Sequence, residues 1–256
     1  MKNLLLAENI GIKLFPVPRP TSDTKFLFES SVSLVACGKI LTEGDGTVRS
    51  LLSESIGSDP WFTDNSDFFR FQHSGELHSL ILKVPPENAL LNSSLPQPQD
   101  GYFSVRLTSE EKVFTVPPQI YRNFDPVRRT LHCFTRTTAS ETVYRIASNL
   151  SLVFDDSNVL SGWIFYQPLE NITDSYLGTK DTDAVDDATY KVFSDYYRIF
   201  SDNELETYDD DLEVLVAKLL SEISSERISR IAGPTRRRLM EEALRDLQDY
   251  WGPQDA

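Results

Sequence analysis

The hydrophobic period of this chain changes once, near residue 170, and that change limits what the chain can fold into. Upstream, apolar residues recur at every second position in short runs; downstream they recur at three- and four-residue spacing. Side chains alternate across a strand but stack at i, i+3 and i+4 on a helix, so one segment cannot serve both patterns. The expected class is α+β: an antiparallel β-rich body, sandwich or curved sheet, followed by an acidic C-terminal helical subdomain of about three helices. The divisions fall at 1–170 for the β-rich domain and 171–256 for the helical subdomain, which could also pack on the sheet as one domain.

Within the first part, residues 102–107 alternate cleanly and place Phe103, Val105 and Leu107 on one face. A polar turn at 108–111 then offers residues 112–116 as the hairpin partner. Residues 150–154 and 159–166 flank Asp155-Asp156-Ser157-Asn158, the strongest hairpin signal in the chain. Residues 32–41, 77–84 and 129–136 supply further strands. Pro85-Pro86 and Pro117-Pro118 each follow a valine that ends a strand, where the missing N–H does no harm. Val-Pro-Pro thus occurs twice, which is too little to define a repeat. Residues 90–100 read as an exposed loop.

In the second part, residues 184–200 carry two apolar stripes. Val185, Ala188, Val192, Tyr196 and Ile199 form one; Tyr190, Phe193, Tyr197 and Phe200 form the other, so this helix should be contacted from two sides. A second helix is expected over 204–225 through Leu212, Leu215, Val216, Leu219 and Ile223. The last should start at Pro234 after Gly233, bury Met240, Ala243, Leu244, Leu247 and Trp251, and stop at Gly252-Pro253.

Charge follows the same division. Of the net −14, residues 171–256 hold −10, from twenty Asp and Glu against ten Lys and Arg. Such an anionic surface favours basic protein partners or cations and disfavours nucleic acid. The start, Met1 to Glu8, imitates a secretory signal, but Glu8 cuts its apolar run short and no small-residue cleavage site follows. No segment reaches the ~20 apolar residues of a membrane span. Cys37 and Cys133 sit in apolar runs and read as small core residues. Sequons at Asn92, Asn149 and Asn171 lack an export signal to support them, so a cytoplasmic, non-membrane protein is expected.

Five groups of residues could carry chemistry. Asp181, Asp183, Asp186 and Asp187 form the densest carboxylate cluster; Asp-x-Asp suits a hard divalent cation, but calcium-loop spacing is missing. The plainer reading makes Asp181 or Asp183 a helix cap and the others first-turn acids. Asp209, Asp210 and Asp211 point in different directions on a helix and cannot share one metal, which leaves a solvated face or a partner-binding patch. Arg236, Arg237 and Arg238 oppose the dipole of the helix they begin. They are either paired internally, with Glu241 and Glu242 or the 209–213 acids, or form an anion site with the exposed N–H groups. Trp61 and Phe62, in an aromatic and acidic stretch, would be partner hot spots if exposed and a core plug if not. His73, His78 and His132 match no zinc spacing, and His132 and Cys133, adjacent on a strand, face opposite ways.

No nucleophile elbow, phosphate loop or dinucleotide turn occurs, and no metal or other cofactor is implied. The leading expectation is a non-enzymatic protein-binding module, most concretely an immunity-type or inhibitor protein that masks a basic partner. Asp181, Asp183, Asp186, Asp187, Asp209, Asp210, Asp211, Trp61 and Phe62 would contact that partner. A carboxylate or metal-dependent enzyme acting on a glycan or phosphate, through Asp181, Asp183 and the arginines, is the alternative. A structural subunit assembling through residues 61–71 and Trp251 is the third.

Overall fold

The computed structural model describes residues 3–20, 22–30, 32–43, 53–58, 66–90, 95–138, 140–208 and 211–252. Three sheets make a β-rich body. Strands β1 (Leu4–Ala7), β2 (Ile10–Val17) and β9 (Tyr102–Leu107) form the smallest. A seven-stranded sheet runs in the order β10 (Val113–Phe114), β5 (Ser55–Ser58), β6 (Phe68–Gln72), β7 (Leu77–Lys83), β4 (Ser33–Gly38), β3 (Thr24–Phe28) and β16 (Ile172–Thr173). A six-stranded sheet runs β13 (Thr142–Ala147), β14 (Leu150–Phe154), β15 (Leu160–Tyr166), β12 (Thr130–Phe134), β11 (Tyr121–Asp125) and β8 (Glu87–Asn88). Pairing is antiparallel except at β10–β5, β11–β8 and β16–β3, each a two-residue match at a sheet end.

The helices follow: α1 (Ile40–Glu43) lies within the body, and α2 (Asp187–Ile199), α3 (Asp202–Thr207), α4 (Leu212–Glu222), α5 (Ser225–Ser229) and α6 (Pro234–Trp251) come after it. The α+β class read from the period change is therefore the observed one. No helix among the described residues is long and apolar enough to cross a membrane.

The 150–166 hairpin forms as the sequence indicates, and its turn shows why. Asp155 accepts the N–H groups of Ser157 and Val159 at 2.9 and 3.0 Å and pairs with Arg136. Burial alone would raise its carboxyl pKa, but these hydrogen bonds and the cation outweigh burial and hold it below the ordinary value.

Elsewhere the structure departs from the local reading. Residues 112–116 do not pair with 102–107. Strand β9 instead pairs with β2, from Ile12 opposite Leu107 to Val17 opposite Tyr102. The longer β2 alternates in step with β9 and buries Ile10, Ile12 and Leu14. Val113 and Phe114 join β5. The N-terminal run that resembles a signal is strand β1, with Leu4 and Leu6 in the core. The expected helix over 204–225 is interrupted: Asp211 stops its own backbone from continuing the turn and caps α4 by accepting from Val214 N–H. Trp251 is not buried; α6 packs as far as Leu247, and its last turn leaves Trp251 half exposed.

Two of the sequons can be placed. Asn171 is buried, donates to Gln167 O at 2.8 Å and accepts from Lys180, so it offers no acceptor amide in the folded chain. Ser151, of the Asn149 sequon, is buried within β14.

Helix α2 is gripped from both sides. Phe28 of β3 meets Phe193 and Tyr196 at 5.0 Å and Tyr197 at 6.0 Å, edge-on, and Phe124 of β11 stacks near Tyr190 and Tyr197. Buried side chains of the sheets and of α2, α4 and α6 belong to one continuous cluster. Phe28→Ala should therefore cost about 3–5 kcal/mol. In chemical denaturation, far-UV signal and tyrosine fluorescence should shift to a lower midpoint together; separate midpoints would show that helices and sheets unfold independently.

Candidate functional site

Where α2 ends against the sheets, a cleft of about 420 Å³ opens. One wall is Val84, Pro85 and Pro86 after β7, with Pro118 and Ile120 before β11; the two Val-Pro-Pro segments thus meet at one place. The facing wall is Tyr196, Tyr197 and Phe200 at the end of α2, with Leu205 of α3 and Leu212 and Leu215 of α4. Glu29, Glu87 and Asp202 stand around it with Lys83. None of these three carboxylates forms an ion pair with another described residue.

The walls are held by two buried polar groups. Arg122 of β11 donates from Nε to Asn88 at 2.9 Å and from Nη2 to Tyr197 O and Phe200 O at 2.9 and 2.6 Å. Its guanidinium lies 4.6 Å from the Tyr197 ring centroid. A cation belongs at a helix C-terminus, where unpaired carbonyls concentrate negative charge. Burial lowers its pKa, and the group stays charged. Asn88 adds a bond to Tyr197 O at 2.7 Å, and Asp202 N–H reaches Pro86 O at 3.4 Å. A smaller hollow of about 220 Å³, edged by Leu90, Phe124 and Arg198, lies across Arg122 and Tyr197.

Asp67 holds the proline wall. Its N–H donates to Val116 O at 2.8 Å, and its Oδ1 accepts Lys83 N–H at 2.9 Å, tying the two valine-ended strands together. The side chain is fully buried and Oδ2 has no partner. Burial pushes this carboxyl up to about 8, against the pull of the Lys83 N–H and ammonium.

The acidic and basic clusters singled out by sequence fall into separate places. Asp186 is the N-cap of α2, bonded to Thr189 N–H at 2.8 Å, and the Thr189 contacts keep it below its ordinary pKa. Asp187 is exposed and meets Arg129 at 3.0 Å. Asp181 is not the cap of α2; it turns inward and caps α6, accepting Thr235 and Arg236 N–H at 3.2 and 3.1 Å. Asp183 contributes its carbonyl to Arg236.

Arg236 is buried and also donates to Leu169 O and Ala232 O, each at 2.8 Å. Gly233 precedes this turn with φ +91°, and a Cβ there would overlap the Asp181 carboxylate. Arg237 donates to Ile231 O, and Arg238 is paired with Asp174 at 2.7 Å and Glu242 at 3.0 Å. The Asp181–Arg236 convergence is thus a structural clip, in which both carboxylate oxygens already have donors. Asp211 caps α4. Trp61, Phe62, Asp209 and Asp210 lie outside the described residues. Among the described residues, no three His, Cys, Asp or Glu side chains gather as a metal site would require.

Sequence reasoning missed Arg122 and the three rim carboxylates. The recurrence of Val-Pro-Pro was the one signal that pointed to the place. No protein-family model, curated protein or solved structure matches the chain.

The buried Asp67 makes a pH-dependent prediction. Its folded pKa lies above the ordinary 3.8, so the fold retains a proton that the unfolded chain releases. Its contribution to stability is full below about pH 4 and is lost as pH rises through about 8. Asp67→Asn keeps an acceptor for Lys83 and carries no charge, so its stability relative to wild type should improve steadily from pH 5 to 8 in urea melts. A difference that stays flat across that range would refute this assignment.

Proposed function

We propose that this protein is a binding module for a basic protein partner, held through the cleft rim and the adjacent acidic face of α3 and α4. In its most concrete form it is a cytoplasmic immunity-type or inhibitor protein, whose carboxylates occupy the cationic site of a toxin or nuclease in place of substrate phosphates. The observation that carries this reading is the set of unpaired rim carboxylates, Glu29, Glu87 and Asp202, around an apolar hollow. Exposed Glu206, Asp211 and Glu213 extend the same sign along α3 and α4. Fixed charges of one sign beside an apolar patch speed encounter with an opposite surface and select against like-charged partners.

The test is affinity capture from the native host's extract, followed by identification and purified binding measurements. One basic protein should be retained at low salt and released as salt rises. The variant Asp209→Lys, Asp210→Lys, Glu213→Lys should bind that purified partner roughly tenfold or more weakly. Binding that ignores both salt and charge reversal would refute the reading.

A further inference from the structure

We infer that the cleft between the two proline corners and the end of α2 receives a single large apolar side chain of the partner, flanked by lysine or arginine. This rests on the basic-partner reading above and specifies how the partner is gripped. Most polar groups near the floor are already committed, Arg122 Nη1 excepted. Tyr196 and Tyr197 hydroxyls bond to Ser30 O and Ser33 Oγ, and Arg122 spends its Nε and Nη2 on Asn88 and the α2 carbonyls. The floor therefore recognises shape and apolarity, not a hydrogen-bonding head group.

The wall cannot extend a sheet into the partner, because Pro85, Pro86 and Pro118 have no N–H and Pro86 O already accepts from Asp202. No strand can pair with the proline corners themselves, which leaves side-chain insertion at this wall. A volume of about 420 Å³ lies toward the small end of ligand-sized cavities and holds an aromatic or leucine anchor, as hot-spot pockets do. Charge fixes what flanks the anchor. Glu29, Glu87 and Asp202 form no ion pair with another described residue, and these three carboxylates outnumber the two cations that line the cleft, Lys83 and the buried Arg122. An anionic segment would be repelled there, and a cationic one drawn in.

The probe is a labelled peptide, Lys-Lys-Trp-Leu-Lys-Lys, read by fluorescence polarisation against the full chain. Two controls replace Trp-Leu by Ala-Ala, or every Lys by Glu. Ile120, half exposed at the cleft mouth, can be changed without disturbing the core. Ile120→Arg should weaken the Trp-Leu peptide roughly tenfold or more, and so should the triple variant Glu29→Gln, Glu87→Gln, Asp202→Asn, with melting temperatures close to wild type. The Ala-Ala and Glu peptides should bind at least tenfold more weakly than the Trp-Leu peptide. Equal binding of the Ala-Ala peptide, indifference to Ile120→Arg, or no binding of the Trp-Leu peptide overturns the inference. If salt-sensitive capture of a basic protein persists in that case, the partner reading stands without the cleft; if capture also fails, both fall.

Discussion

A helix that ends inside a protein leaves carbonyls that water cannot reach, and the fold depends on how they are satisfied. Helix α2 ends against β8 and β11, and Arg122 answers for it. One guanidinium takes Tyr197 O and Phe200 O, bonds Asn88 and stacks on the Tyr197 ring. Its charge also opposes the negative end of the helix dipole. This lets α2 stop in the interior, and Ser201 caps α3 directly after it. The cleft follows from the same arrangement. It opens between the proline corners and the apolar side chains of α2, α3 and α4.

The excess of negative charge in the helical half is less even than its sequence suggests. Much of it is neutralised internally. Asp195 is buried and gathers Lys191 and Arg227 at 2.6 and 2.7 Å, with Arg198 at 3.6 Å. Glu204 takes Lys218, Glu222 takes Arg198, Glu226 takes Arg230 and Asp174 takes Arg238. The cations of this half are largely consumed by these contacts. Among the described residues, what is left over falls partly on Asp202, Glu206, Asp211 and Glu213, around the cleft and along α3 and α4, and partly on Asp183, Asp186, Glu241, Asp246 and Asp249. Surface pairs of this kind contribute little stability each, so their main effect here is on where net charge remains.

What the sequence made legible was local. Period-two and period-3.6 patterns found α2, α6, β9 and the 150–166 hairpin, because each rests on neighbours a few residues away. Pairing across distance was not legible. Strand β9 had a nearer candidate partner at 112–116, yet β2 won through a longer match in alternation. The break at Asp211 hid inside an apolar spacing that a continuous helix would also satisfy. Arg122 carried no signal of its own, since its acceptor at Tyr197 lies 75 positions away. The candidate site shares this character: its prolines and its apolar helix residues are visible one by one in the sequence, and only the fold brings them together with Arg122 and the rim carboxylates.

The arginines at the start of α6 show how far residue type and role can separate. Arg236 beside exposed N–H groups has the composition of an anion site, and Asp181 with Asp183 has that of a cation site. The fold places the two against each other, so each is the ligand the other's chemistry calls for. Asp181 supplies the negative charge that a helix N-terminus favours, which offsets the unfavourable arginine and caps two N–H groups at once. Gly233 is what permits it, because any side chain there would occupy the carboxylate's place. A charged cluster keeps its charge for an outside ligand only where the fold leaves its counter-charge out, and at the clip that condition is not met.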